Sequence, residues 1–310
     1  MLVRYPTPGL ERNVTAFPAA GSASVPPRPD RFTVGLVGAG RAGSAMAAAL
    51  ARVGHELVGA TTASHVSPLL PPDLPRLPAD EIASRCQLLL LTVPDDTLPD
   101  LVRGLAVTGA LRTGQLVVHA AGRYGLDVLA PAVEAGAFPL ALHPAMTFTG
   151  QDTDLARLAD SCIAVTAPDE LRIVGEALAL ELGGEPVHVP EPLRATWHAA
   201  LTHGANHLVT LIGQAADLLA AARVRQPDRV LGPLLHAALE NTLRDGDAAL
   251  TGPVSRGDVA TVRAHLEVLA ASPARAAYVA LAGATADRAG AAGRLDPESV
   301  LAVHAALGER

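Results

Sequence analysis

A short apolar strand that runs into Gly38-Ala-Gly40-Arg-Ala-Gly43, and from there into an Ala/Leu helix, narrows the choice of fold more than any other feature. Phe32-Thr-Val-Gly-Leu-Val37 has the length and flanks of a buried strand. Ser44 to Val53 reads as a helix closed by Gly54. In such a unit the first glycine permits a tight turn, and the second lets backbone approach a pyrophosphate. The third lets helix and strand pack closely, and the helix N-terminus faces the anion.

The same texture continues. Further strands are expected at 56–60, 87–93, 115–119, 138–143, 161–166 and 185–189, with helices at 97–107, 126–135 and 169–182. Strands alternating with helices predict an α/β fold, a doubly wound Rossmann-type parallel sheet. After Pro190 the strands stop. Residues 193–222, 229–243, 260–271, 273–289 and 297–307 read as helices, so an all-helical C-terminal domain follows. The expected division is a flexible Pro-rich tail over 1–31, a dinucleotide-binding domain over 32–190, and a helical substrate and dimerisation domain over 191–310.

Composition removes several classes of function. With 49% apolar residues in 310, the chain has ample surface to bury and is not disordered as a whole. A net charge of −7 and 3% aromatics argue against a nucleic-acid surface. The 24 basic residues are all arginine, which excludes a Schiff-base or acid/base lysine. Cys86 and Cys162 are too few for a disulfide framework and suit a reduced, cytoplasmic protein. No apolar run reaches the ~18 residues of a membrane span, and the N-terminus lacks a signal pattern.

The end of the second strand decides which dinucleotide is favoured. An NAD site places Asp or Glu there, roughly 20 residues on, to bind the ribose 2′-hydroxyl. Here stand Thr61, Thr62, Ala63, Ser64 and His65. Nothing in that turn repels a 2′-phosphate, Thr61, Thr62 and Ser64 can donate to it, and Arg41 adds charge, so NADP is the expected cofactor. Ala39 and Ala42 complete the loop. Val93-Pro94-Asp95 ends the third strand, where it can touch the cofactor ribose; Asp95 or Asp96 can equally cap the next helix.

His119 and His143 end neighbouring strands that should open into one crevice. On the long helix, His198, Thr202 and Asn206 are spaced i, i+4, i+8 and form a slowly drifting polar stripe. His203 and His207 have possible metal spacing, but the HExxH glutamate and a third ligand are missing, so no metal is expected. Arg256, in the glycine-flanked loop Thr251-Gly-Pro253-Val-Ser-Arg256-Gly-Asp258, is a candidate clamp for a substrate carboxylate, and Asp258 a candidate N-cap.

Taken together, Gly38–Gly43, Val93-Pro-Asp95, His119 with Gly122, His143-Pro144, His198 to Asn206, and Thr251-Gly-Pro253 with Arg256-Gly-Asp258 resemble the proteins that join a Rossmann-like domain to domain of unknown function 2520. The resemblance covers residues 32–307. It is similar in turn to the 6-phosphogluconate dehydrogenase-like superfamily, which includes ketopantoate reductases, 3-hydroxyisobutyrate dehydrogenases, pyrroline-5-carboxylate reductases and prephenate dehydrogenases. It implies an NADPH-dependent reductase of a small 2-oxo acid, foremost 2-dehydropantoate in pantothenate synthesis, working as a homodimer. Relatives often carry a Lys-x-x-x-Asn pair on the long helix. Asn206 is present here, but Thr202 stands where the lysine would be, so the proton donor passes to His198, with Asn206 orienting the carbonyl. His119, His143 and Thr202 would then line the pocket. The alternatives are a reductase of another carbonyl or an imine, and a non-catalytic NADP-binding sensor.

Overall fold

The computed structural model describes residues 31–61 and 67–308. The Pro-rich tail expected over the first residues lies outside them, apart from Arg31. Seven strands form one sheet: β1 (Thr33–Val37), β2 (Glu56–Ala60), β3 (Leu88–Leu91), β4 (Leu116–His119), β5 (Phe138–Pro144), β6 (Cys162–Thr166) and β7 (Glu185–His188). Their order is β2-β1-β3-β4-β5-β6-β7. The first five are parallel, β6 runs antiparallel to β5, and β7 is parallel to β6. The doubly wound parallel sheet read from the sequence is thus present, with one antiparallel step at β5–β6 and two strands added at one edge.

Both faces of the central strands are covered, which is why they read as unbroken apolar runs and not as alternations. Val34, Leu36, Leu88, Leu90, Leu116 and Val118 turn to one side. They meet helices α1 (Arg41–Arg52), α5 (Thr153–Ala159) and α6 (Arg172–Glu181). Val37, Leu89, Leu91 and Val117 turn to the other, against α2 (Ala79–Arg85), α3 (Leu98–Val107) and α4 (Ala130–Glu134). The short helices α2 and α5 were not legible as such in the sequence. His55 ties two ends of this layer: its Nδ1 accepts from the Phe32 amide at 3.0 Å, and its Nε2 lies 3.0 Å from Glu181 Oε2.

By internal contacts the chain divides after Glu191. The second unit holds α7 (Arg194–Leu201), α8 (His207–Ala221), α9 (Pro227–Asp245), α10 (Val259–Val268), α11 (Arg275–Ala291) and α12 (Pro297–Leu307). Its small core is Val254, Val262, Ala282, Ala286, Val303 and Leu307. The expected single helix over 193–222 is two α-helices joined by a π turn at Thr202–Asn206. Asp258 caps α10 by accepting the Thr261 amide at 3.0 Å. Helices α8 and α9 bury no side chain, although Val209, Leu234 and Leu243 are among their residues. Among the described residues no helix is long and apolar enough to cross a membrane.

Candidate functional site

The glycine loop occupies the carboxyl end of β1, the position where open α/β sheets bind ligands. Gly38 has φ +102°, and a Cβ there would lie 2.6 Å from the Thr92 carbonyl carbon. At Gly43 a Cβ would lie 2.1 Å from Thr92 Oγ1 and 2.3 Å from the Gly38 oxygen. The fold itself therefore demands these two glycines. Gly40 differs: its φ and ψ, −78° and −167°, suit any residue, and a Cβ there would meet nothing within 4 Å. Among the described residues nothing gives a packing reason to keep Gly40 bare, and none of them fills the space above it.

Gly40 opens α1, and no side chain caps that helix. Its first amides lack intrahelical partners and point outward. The first turn carries no acid and begins with Arg41, a cation at the positive end of the helix dipole. That placement is unfavourable by itself and becomes favourable when an anion sits there. The Arg41 stem packs against Gly150, whose Cβ would lie 3.1 Å from Arg41 Cγ. The turn bearing Gly150 is fixed by Asp154, a fully buried carboxylate. It accepts from the Thr149 hydroxyl at 2.7 Å, the Thr149 amide at 2.8 Å and the Gly150 amide at 2.7 Å. Burial pushes this carboxyl up, but those donors and Arg157 outweigh it and hold it below the usual range.

Thr61 reaches back to the loop, where its Oγ1 accepts the Gly38 amide at 2.9 Å. It thus supports the glycine turn directly. Thr62 and Ser64, the other hydroxyls expected at the 2′-phosphate, lie outside the described residues. Thr92 closes the loop from the other side, donating from Oγ1 to the Gly38 carbonyl at 2.7 Å. Ala39 is buried beneath the loop. Beyond β3, Val93 packs on the sheet core, Pro94 accepts from the Thr97 and Leu98 amides, and Asp95 pairs with Arg123 at 3.4 Å. No side chain caps α3.

His119 was expected to line a pocket. It is fully buried, and both ring nitrogens serve the loop that follows: Nδ1 accepts the Ala121 amide at 3.2 Å, and Nε2 donates to the Gly125 carbonyl at 2.8 Å. It organises residues 120–126 from beneath, which leaves neither nitrogen to a substrate. Glu191 holds the far end of the same loop, accepting from the Leu126 and Asp127 amides at 2.6 and 3.2 Å. His143 is half-buried within β5, opposite Ala164 of β6. Arg123 and Tyr124 belong to this ordered loop and were missed in the sequence. The signal available was an arginine placed just after a strand-end Gly122.

The other expected residues belong to the helical unit. The His207 amide donates to the Thr202 carbonyl, an i to i+5 bond that defines the π turn. Steps of four overshoot an α-turn of 3.6 residues, whereas the wider π turn undershoots. The drift from His198 to Thr202 is therefore offset between Thr202 and Asn206, and the three stay on one line. His198 and Thr202 are half-buried and Asn206 is exposed. His203 and His207 approach each other, with Nδ1 atoms 3.1 Å apart. Among the described residues no group of three metal-binding side chains occurs. Arg256 is exposed and ends a short 3-10 turn, followed by Gly257 at φ +70°.

Within this unit, α8, α10 and α11 border an open-sided cavity of about 390 Å³, walled by Leu211, Leu218, Val254, Leu269 and Ala282. Its polar groups come from Gln214, Thr251, Thr285 and the pair His265 and Tyr278, whose Nδ1 and hydroxyl lie 2.9 Å apart. Burial pushes the Tyr278 phenol up, so it stays neutral at physiological pH.

Residues 19–144 match the model of the Rossmann-like domain, and residues 161–285 match a domain of unknown function, DUF2520. No curated protein matches the chain. Among solved structures it is similar to a Bacteroides fragilis protein described as a candidate NADP oxidoreductase. That likeness has 22% identity and a TM-score of 0.70, covering 82% of this chain and 98% of the other. An imine reductase from Myxococcus stipitatus in complex with NADP+ aligns at 19% identity with a TM-score of 0.61, over 87% and 98% of the two chains. Plasmodium falciparum pyrroline carboxylate reductase with NADP bound aligns at 13% identity with a TM-score of 0.56, over 84% and 98%. At these identities the likeness establishes the fold.

Proposed function

We propose that this protein is an NADPH-dependent oxidoreductase that reduces a small 2-oxo acid, with 2-dehydropantoate (ketopantoate) as the leading substrate. The observation that carries the dinucleotide is Gly40, bare where the fold does not require it and facing open space at an uncapped, Arg-led helix start. NADP is favoured over NAD because Thr61 follows β2 where an acid would select NAD, and because Arg41 supplies charge for a 2′-phosphate. The NADP complexes among the structural neighbours support the same choice.

In this reading the nicotinamide supplies hydride. His198 protonates the developing alkoxide, Asn206 orients the carbonyl, and Arg256 holds the carboxylate, with Thr202 and His143 at the pocket wall. A histidine suits the role because its ordinary pKa is near working pH, and the chain has no lysine to compete. The π turn supports this assignment, since such turns recur at functional sites and this one spans Thr202 to Asn206. The two unpaired cysteines fit a cytoplasmic setting. The helical unit would also pair two copies, because α8 and α9 bury no side chain.

The test is a spectrophotometric screen of 2-oxo acids with NADPH, followed by His198→Gln. That change should lower the rate by about 10²–10⁴-fold and remove a limb of the pH profile near neutrality, with NADPH affinity unchanged. Full turnover with the same profile rejects His198 as the donor. A second reading, reduction of a less polar carbonyl or imine, is favoured by the apolar cavity of the helical unit. Ketones or cyclic imines turned over where 2-oxo acids are not would select it. Binding of NADPH without turnover of either class would select a sensor.

A further inference from the structure

The ordered loop after β4 carries a cation that the reading above does not use. Arg123 is half-exposed and makes three contacts among the described residues. Its Nε lies 3.4 Å from Asp95 Oδ2, its Nη2 donates to the Tyr124 hydroxyl at 2.7 Å, and its guanidinium lies 4.4 Å from the Tyr124 ring centroid. Nη1 takes part in none of them. The side chain is thus fixed along one edge and across one face, while the edge that bears Nη1 stays free to donate. The backbone beneath it is fixed as well, by His119 at Ala121 and Gly125 and by Glu191 at Leu126 and Asp127. A guanidinium held in this way gives up little rotamer entropy when it binds a planar anion, and its geometry matches a carboxylate.

Its position in the sheet says which anion. The glycine loop follows β1, and β4 lies two strands away in the order β1-β3-β4, about 10 Å at the usual strand spacing. A dinucleotide whose pyrophosphate sits on α1 sends its adenosine ribose toward the end of β2, on the opposite side of β1. The reactive half must then run over β3 and β4, so Arg123 stands at that half and away from the pyrophosphate. In a 2-oxo acid the carbon that accepts hydride is bonded directly to the carboxylate, so a cation is needed beside the reactive end.

We propose that Arg123 is a substrate-binding residue, the sheet-side receptor for the carboxylate next to the reducible carbonyl, held in place by Asp95 and Tyr124. This rests on the 2-oxo acid reading, and it extends carboxylate recognition to a residue of the dinucleotide-binding unit.

The probe is oxamate, an unreactive analogue of a 2-oxo acid, titrated calorimetrically into the full chain saturated with NADPH. Arg123→Gln should weaken oxamate by roughly 10- to 100-fold, the loss expected for a charge-assisted hydrogen bond at a half-exposed site. Arg123→Lys should fall between, because it keeps charge but not the fork. NADPH affinity should stay within about twofold of wild type in both, which separates a substrate carboxylate from a cofactor phosphate. Unchanged oxamate binding in Arg123→Gln overturns the assignment. So does an equal loss of NADPH affinity, and so does a wild type that fails to bind millimolar oxamate. Turnover is the separate arm. If wild type reduces no 2-oxo acid, the proposed reaction falls, while selective oxamate loss in Arg123→Gln still identifies the anion receptor.

Discussion

Replacing Gly40 with alanine separates what the fold needs from what the ligand needs. The backbone at Gly40 is extended and the new methyl group would meet nothing within 4 Å, so the folded state accepts it without strain. Removing a glycine also restricts the unfolded chain, which stabilises by about 0.4–1 kcal/mol where the conformation is compatible. The melting temperature should therefore hold or rise by a few degrees. NADPH binding should behave oppositely, because the methyl group stands where the pyrophosphate must approach the amides of α1. Losing one to two charge-assisted hydrogen bonds there costs about 1.5–3 kcal/mol, a fall of roughly 10- to 150-fold in affinity. Gly43→Ala is the contrasting change. Its Cβ would sit 2.1 Å from Thr92 Oγ1 and 2.3 Å from the Gly38 oxygen, so it should lower the melting temperature before any ligand is added. Melting curves and NADPH fluorescence titrations on the two variants give both readouts. Wild-type NADPH affinity in Gly40→Ala would refute the placement of the pyrophosphate.

Three further outcomes follow from named contacts. Asp154→Asn should destabilise by about 1–3 kcal/mol at neutral pH, since an amide cannot satisfy the donors from Thr149 and Gly150. The Asp154 carboxyl is held below its usual range in the folded protein, so its contribution is complete above the unfolded value of about 3.9 and fades as pH falls through the folded one. The stability gap between wild type and Asp154→Asn should therefore close in acid; a gap that widens on acidification would contradict this. Burial raises the Cys86 thiol to about 11, so iodoacetamide at pH 8 should label Cys162 well before Cys86, as read by mass spectrometry of tryptic peptides. Thr61→Val removes the acceptor for the Gly38 amide and should weaken NADPH by several-fold to tenfold, whereas Thr61→Ser should restore it. A valine variant with unaltered affinity would show that the glycine turn holds without that bond.

The α/β half was legible because its central strands are buried on both faces, which writes them as runs such as Leu88-Leu-Leu-Leu91 that no surface strand or amphipathic helix imitates. Strand direction was not legible. Residues 138–144 and 162–166 are apolar in either orientation, so the pattern does not distinguish their antiparallel pairing from a parallel one. The π turn was hidden for a related reason. Residues 194–221 carry helical spacing throughout, and one wide turn costs the pattern only a fraction of a residue.

For the site, sequence spacing gave the glycine loop and its three glycines, and the structure separates their reasons. Gly38 and Gly43 answer to Thr92, while Gly40 answers to nothing among the described residues. Where the sequence offered only a residue type, the reading diverged. A histidine at a strand end suggests a pocket, yet His119 spends both nitrogens on Ala121 and Gly125. The residue this rigidity serves lies four positions on, in a loop whose composition gives no periodic signal. Arg123 becomes visible only when the fold brings Asp95, which follows another strand, within 3.4 Å of it. A buried histidine whose ring nitrogens both hydrogen-bond to backbone can still serve recognition, by keeping the turn above it in one conformation. His119→Leu, which removes both loop bonds while leaving Arg123 untouched, should therefore weaken oxamate as Arg123→Gln does and leave the glycine loop intact.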